Sequence, residues 1–327
     1  MLPYIARRIV WSLALLVIVS GVVFAIFYLL PSADPATLRA GRSASPEQIE
    51  IVRQSLGLDD PVIVQFGRYM RDIFTPFGEG PFYFGRSIFQ SNTPVREIIL
   101  DRLPATIYLT VGAVIIWIAI AIPIGVISAI RRRSFLDRFT MITSLAFISA
   151  PVFWLGLVAL YLFASDIGVI PIFPGIGSYN TADGFFAKGW TLVLPWLVLA
   201  AATAAIYARY VRSQMIDVMS EDYIRTARAK GLGERDVTLK HGLRSAITPI
   251  VTLLGLDIGT LLAGNAILTE SVFNIPGVGK ETVTAINQSD IYVIQGVVLF
   301  GAFFIVILNL LVDILYAYLD PRVRYTR

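Results

Sequence analysis

The stretch of this sequence with the most chemical character is a charged, helix-forming segment. Glu221-Asp222-Tyr223-Ile224-Arg225-Thr226-Ala227-Arg228-Ala229-Lys230-Gly231-Leu232 opens with acids and closes with bases, which complements a helix dipole, and Gly231 can take the left-handed stop. Tyr223, Ala227 and Gly231 recur every four residues. That spacing predicts a helical face of ring, small residue and stop glycine that fits a groove on another protein. Composition alone also allows a solvated basic loop that only fixes orientation across a membrane.

Covalent and redox chemistry is poorly provided for. The chain has no cysteine, which excludes disulfides, thiolate metal sites and thiol nucleophiles, and its single histidine, His241, excludes a His-rich metal cluster. No catalytic residue and no metal are expected. Gly279-Lys280 is followed by Glu281 and lacks the upstream glycine of a phosphate-cradling loop, so it reads as a polar turn and any ATP chemistry must come from another chain. Asp257 and Asn265 are the candidates for a translocation path. A carboxylate at mid-span costs several kcal/mol unless it meets a polar cavity or a partner. Asp257 can meet a substrate amine, or it can make a bond between helices with Gly255 and Gly259 as a close-packing face. Asn309 and Asp313 read as structural or interfacial.

The elements that position these residues are spans. Of 327 residues, 56% are hydrophobic and 15% charged, outside the range of soluble domains. Six apolar runs are long enough to cross a hydrocarbon core: Ile9 to Leu30, Ala105 to Ile130, Phe139 to Ala164, Trp190 to Tyr210, Ile247 to Leu268 and Ile291 to Tyr318. The first is expected to be retained, since Pro31-Ser32-Ala33-Asp34 is a weak cleavage site. Pro123, Pro151 and Pro195 predict kinks inside spans. The net charge of +4 lies in short basic blocks beside the spans, a topological signal and not a nucleic-acid footprint. Arg7, Arg8, Arg131, Arg132, Arg133, Arg138, the segment from Arg209 to Arg244, and Arg322, Arg324 and Arg327 fall on one side, which predicts both termini in the cytoplasm.

Pro31 to Pro104 is too long for a plain loop and predicts a small external helical subdomain. Ser45-Pro46-Glu47-Gln48 reads as a capping box with proline at the first helical position, and Gly57 as that helix's stop. Asp60-Pro61 predicts a second helix, with Val62, Phe66, Tyr69, Met70 and Ile73 on one face, and Thr93-Pro94 a third. Phe74 to Phe84 reads as an insertion. The expected division is residues 1–31 as first span, 32–104 as external subdomain, 105–318 as five-helix core with a cytoplasmic loop at 211–246, and 319–327 as tail.

Arg225-Thr226-Ala227-Arg228-Ala229-Lys230-Gly231, followed by Lys240-His241-Gly242-Leu243-Arg244 and Pro249, resembles the cytoplasmic "EAA" loop of ABC importer permeases, in the version found in the dipeptide, oligopeptide and nickel family. Tyr4-Ile5-Ala6-Arg7-Arg8, Leu56-Gly57-Leu58-Asp59, Arg102-Leu103-Pro104-Ala105-Thr106, and Leu268-Thr269-Glu270-Ser271-Val272-Phe273-Asn274-Ile275-Pro276-Gly277-Val278-Gly279 resemble that family's first permease subunit, in order along the chain. Arg225 stands where the general motif begins with glutamate, so no role of that glutamate transfers.

The resemblance implies an all-α integral membrane protein of about six spans with a MetI-like core in a bacterial or archaeal plasma membrane. It implies a second homologous permease, two ATP-binding subunits that hold ATP and Mg, and an extracytoplasmic substrate-binding protein, with no cofactor in this chain. Glu221, Tyr223, Arg225, Ala227, Arg228, Lys230, Gly231 and Leu232 become the ATPase-coupling residues, and Glu270, Phe273, Pro276 and Gly277 the candidates for an external gate or binding-protein dock. Peptides are the expected cargo. Nickel or another small solute, and a self-sufficient secondary transporter, are the alternatives.

Overall fold

The computed structural model describes residues 2–29, 34–40, 44–74 and 84–319. Residues 30–33, the interior of the 74–84 insertion, and the tail with Arg322, Arg324 and Arg327 lie outside these. Among the described residues the chain is helical, with two isolated β-bridges and no strand.

Helix α1 (Leu2–Phe24) is extended by a π-helical turn and stands at the edge of the molecule, with Val10, Trp11 and Ile18 more than half exposed. Three helices follow: α2 (Pro35–Ala40), α3 (Pro46–Leu56) and α4 (Val62–Phe74). Local chemistry sets their ends as expected. The Ser45 side chain accepts from the Gln48 amide while Gln48 accepts from the Ser45 amide, and Gly57 closes α3 at φ +61°. Phe66 and Tyr69 of α4 pack on Phe24 with ring centroids 5.4 and 5.5 Å away, which fastens this unit to the end of α1. Val62 is exposed, so the buried face of α4 begins at Phe66.

The third external helix of the sequence reading is instead the first two turns of α5 (Val95–Ile130), a helix of 36 residues. The boundary drawn at 104/105 therefore falls inside a helix. Pro104 removes one backbone donor without stopping it, as membrane-protein helices tolerate. Then come α6 (Phe135–Ser149) and α7 (Val152–Phe163), bent by 102° at Ala150-Pro151. What the sequence presents as one kinked run from Phe139 to Ala164 is thus two helices. Proline forbids the preceding residue its helical conformation, and Ala150 is extended at ψ 127°.

The short α8 (Ser178–Thr181) leads to α9 (Phe185–Met219), which carries Pro195 and runs nine residues past the expected span end at Tyr210. The segment expected as a loop at 211–246 is correspondingly helical: the end of α9, then α10 (Asp222–Ala229), α11 (Glu234–Asp236), a π-helical turn and α12 (Arg244–Ala246). The chain ends in α13 (Thr248–Thr260) with a further π-helical turn, α14 (Ile267–Val272), α15 (Val278–Gln288) and α16 (Ile291–Leu319). Among the described residues five helices are long and apolar enough to cross a membrane, and the bent α6–α7 pair makes up to six.

The core is the α5–α9 pair. Ala105, Leu109, Ala113, Trp117 and Ala121 are buried at every fourth position, a ridge of the kind that seats in a facing groove. Ala200, Ala204 and Ala208 answer it from α9. The backbones approach so closely at Gly125 that an added Cβ would lie 2.7 Å from the Ala208 carbonyl oxygen. Helix α13 packs on α16 through Gly255 and Gly259, where a Cβ would meet Val312 at 1.9 Å and Ile305 at 3.5 Å. Arg8 pairs with Asp313 at 3.0 Å, tying the first residues of α1 to α16.

Candidate functional site

Helix α10 follows the end of α9 and packs on the π-helical turn Val237–Leu243. Its two buried residues, Ile224 and Ala227, pack with Val237 and with Met219 at the end of α9. The expected face of Tyr223, Ala227 and Gly231 is therefore divided. Residues three apart, Ile224 and Ala227, set the inward stripe, while Tyr223 stands at its edge and remains 45% exposed. The helix ends as the sequence predicts: Gly231 sits at φ +78°, its amide donates to the Arg228 carbonyl at 2.9 Å, and the Leu232 amide donates to the Ala227 carbonyl at 3.4 Å. Nothing lies within 4 Å of a Cβ built on Gly231, so the backbone angle alone demands glycine in this chain.

Glu221 precedes α10 and caps nothing with its side chain. Arg225 pairs with Asp222 at 3.3 Å, and Arg228 reaches Glu234 at 2.6 Å; these pairs are exposed. Lys230 and Leu232 are exposed beside them. Tyr223 also walls a shallow cleft of about 450 Å³ with Leu239, Lys240, His241, Arg244 and Ser245. Leu239 and Ser245 were invisible as site residues because only the fold of the π-helical turn brings them to Tyr223.

A buried ion pair that the sequence does not announce joins α6 to α9. Asp137 of α6 receives Arg212 of α9 at 2.6 and 2.9 Å, the Ser128 hydroxyl of α5 at 2.5 Å and the Arg133 amide at 2.8 Å. Three helices are joined through one carboxylate, with Asp137 only 5% exposed. Arg138, the basic neighbour, had masked Asp137 as part of a topological block.

Asp257 has a protein partner. The Tyr207 hydroxyl of α9 donates to it at 2.6 Å, and the Tyr207 ring lies 5.7 Å from Trp117 of α5, tilted by 38°. Gly255 and Gly259 bring the same helix onto α16, so the helix-to-helix reading accounts for this geometry, with Asp257 itself half-buried. Asn265 is exposed beside Gly264, whose φ of +98° ends the helical run earlier than the expected Leu268.

The segment from Glu270 to Gly279 turns inward. Glu270 is fully buried. Its carboxylate accepts from the Thr106 hydroxyl at 2.7 Å and from the Lys280 amide at 2.8 Å, while Thr106 in turn accepts from the Val278 amide at 2.9 Å. Two motifs far apart in sequence thereby become one site. The glycines follow from it: a Cβ on Gly277 would lie 2.2 Å from the Glu270 carboxyl carbon, and one on Gly279 would lie 2.5 Å from the Gly264 carbonyl oxygen. Burial pushes the Glu270 carboxyl above the ordinary glutamate value, against the opposing pull of Thr106 and the Lys280 and Gly279 amides. Of the candidates for an external gate or binding-protein dock, Phe273 and Gly277 are buried within this chain and Pro276 is half-buried. Thr106 is not among the sequence candidates, and only tertiary packing brings it to Glu270. Arg102 and Gln90 add a second layer by bonding Glu281, the former at 3.2 Å.

Residues 121–325 match the family of binding-protein-dependent transport system inner membrane components, and residues 1–110 match the N-terminal family of the same components. The chain belongs to this family. The permease is 39% identical over 342 residues to the dipeptide transport system permease protein DppB of Alkalihalophilus pseudofirmus, covering 99% of this chain and 100% of that protein. It is 41% identical over 326 residues to the glutathione transport system permease protein GsiC of Salmonella paratyphi A, with coverage of 99% and 100%. Against GsiC of Escherichia coli K12 the identity is 40% over 326 residues, with the same coverage. The permease is an integral membrane transport subunit, and its relatives are transport components, not enzymes.

Proposed function

We propose that this permease forms half of the path of an ATP-driven importer for short peptides, with a second permease completing it. Two ATP-binding subunits hold ATP and Mg on the side of α10, and a substrate-binding protein delivers cargo at the α15 side. Both termini then lie in the cytoplasm of a bacterial or archaeal cell. Support for the cargo comes from relatives named for dipeptide and glutathione transport, both of them peptides. One observation carries the coupling role. Helix α10 is clamped to its own chain by Ile224 and Ala227, yet it leaves Tyr223 standing at a basic cleft. An aromatic ring held on a fixed helix suits an interface anchor. ATP-driven closure of the partners would push on α10, and the Asp137–Arg212 junction would pass that push to α5, α6 and α9.

The test is Tyr223→Ala in the reconstituted importer. It is expected to leave insertion intact, to lower recovery of the ATPase subunits, and to abolish substrate-stimulated hydrolysis. Normal association with normal peptide uptake would refute the coupling role. Because the chain contains no cysteine, single cysteines also test orientation cleanly. An impermeant reagent should label Asn180→Cys from outside and fail to label Ser220→Cys; the reverse result inverts the arrangement.

A further inference from the structure

The elbow between α6 and α7 leaves a run of backbone without hydrogen bonds. Pro151 has no amide to give the Phe147 carbonyl, and its ring holds Ala150 extended at ψ 127°. Among the described residues no hydrogen bond is made by the amides of Ala150, Val152, Phe153 or Trp154, and none reaches the carbonyls of Phe147, Ile148 or Ser149. Bonding resumes where the Leu155 amide donates to the Pro151 carbonyl at 3.1 Å. No residue from Phe147 to Trp154 is buried, so the elbow is open to its surroundings.

Its depth follows from α9. Phe147 shares a groove with Ala201 and Ala204, and a Cβ on Gly156 would lie 3.8 Å from the Val198 side chain. The elbow therefore stands abreast of Val198 to Ala201, beside Ala200, the midpoint of the apolar stretch from Trp190 to Tyr210. At 1.5 Å per residue that level is about 15 Å from either end of the stretch, the centre of a hydrocarbon core about 30 Å thick.

Lipid tails cannot satisfy these groups. Each unmet amide or carbonyl in hydrocarbon costs several kcal/mol, and non-helical backbone at membrane depth persists only where protein buries it or where it lines a water-filled cavity. A covering protein would have to bring acceptors to the amides of Ala150, Val152, Phe153 and Trp154 and donors to the carbonyls of Phe147, Ile148 and Ser149, all within two turns of chain. Water brings both kinds at every position. The exposed Ser149 hydroxyl adds a polar side chain to the same surface.

We infer that the α6–α7 elbow lines the water-filled translocation path at mid-membrane, with Ser149 and the backbone from Phe147 to Trp154 as its polar surface. Donors and acceptors stand there side by side without a fixed charge, so a peptide's own amides and carbonyls can exchange one set of hydrogen bonds for another as they pass. The inference rests on the importer reading above for the path itself.

Single cysteines in this cysteine-free chain test it in the importer reconstituted into liposomes with cysteine-free partners. A charged thiosulfonate reagent supplied on both faces attacks only a thiolate that water reaches. Ser149→Cys is expected to react at least about tenfold faster than Ile18→Cys, tenfold being the loss of thiolate that a pKa rise of one unit brings. Ile18 is the comparator because it lies mid-span on the exposed edge helix α1. Phe153→Cys, at the other side of the elbow, is the second probe and should behave as Ser149→Cys does. Both rates should differ between the nucleotide-free and the ATP-bound importer, since access to a transport path alternates. The inference is overturned if neither cysteine outpaces Ile18→Cys, which would mean that another chain covers the elbow, or if the rates are the same in both nucleotide states. Peptide uptake by the wild-type importer is measured separately: uptake with unreactive cysteines overturns the elbow assignment alone, and reactive cysteines without peptide uptake overturn the cargo reading alone.

Discussion

Arg212→Met isolates the ion pair that joins α6 to α9. Arg212 meets Asp137 through two contacts, at 2.6 and 2.9 Å, and Asp137 is 5% exposed. After the substitution Asp137 keeps the Ser128 hydroxyl and the Arg133 amide but loses its countercharge. Removing one partner of a buried pair costs about 3–5 kcal/mol because the remaining charge stays desolvated. At about 2 °C per kcal/mol for a chain of this size, the thermal midpoint should fall by roughly 6–10 °C. The double variant Asp137→Asn with Arg212→Met removes both charges and leaves Ser128 an amide oxygen to bond. It should recover more than half of that loss, because a neutral pair of similar volume carries no buried charge. The assay is thermal unfolding of the purified complex in detergent, followed by intrinsic fluorescence, for wild type, both single variants and the double. A double variant no more stable than Arg212→Met, or a single variant within about 0.5 kcal/mol of wild type, would refute the reasoning.

Three further outcomes follow from the same geometry. Gly277→Ala drives a methyl group into the Glu270 carboxylate, where the Cβ would be 2.2 Å from the carboxyl carbon; it should destabilise the fold by about 1–3 kcal/mol, read as a lower thermal midpoint, whereas Gly67→Ala on exposed α4, with nothing within 4 Å, should be neutral or stabilising by about 0.5–1 kcal/mol. Because burial raises the folded-state pKa of Glu270, the folded protein holds this proton more tightly than the unfolded one. Its contribution to stability is complete below the ordinary glutamate pKa and declines as pH rises through the folded value, so the midpoint difference between wild type and Glu270→Gln should change with pH in that sense; a flat difference across the acidic range counts against it. Tyr207→Phe leaves the Asp257 carboxylate without its 2.6 Å donor and should cost about 1–3 kcal/mol, more than Asp257→Asn, which keeps an acceptor for the tyrosine; equal midpoints for the two variants would mean that this bond does not hold α9 to α13.

Much of the local architecture could be read directly from residue order. The capping box at Ser45, the stop at Gly57 and the left-handed stop at Gly231 are properties of a few adjacent residues, and each stands where its own chemistry puts it; of the six apolar runs, the third is a pair of helices bent at Pro151 and the fifth stops short of Leu268. The membrane class follows from composition because no amount of folding hides that much apolar surface from a solvent that must be lipid. What the residue order left open was rotation and pairing. Spans such as α5 and α16 are apolar on every side, so they carry no stripe that reveals which face turns inward. Glu270 meets Thr106 across 164 residues, Arg212 meets Asp137 across 75, and Tyr207 meets Asp257 across 50. Those partners are chosen by how helices pack, since a buried carboxylate must take whatever donors the packed bundle brings to it. For the same reason the Thr93-Pro94 start could not be told from a separate helix, the Pro151 break could not be told from a mild kink, and Ala227 could not be assigned inward until Val237 and Met219 were seen against it.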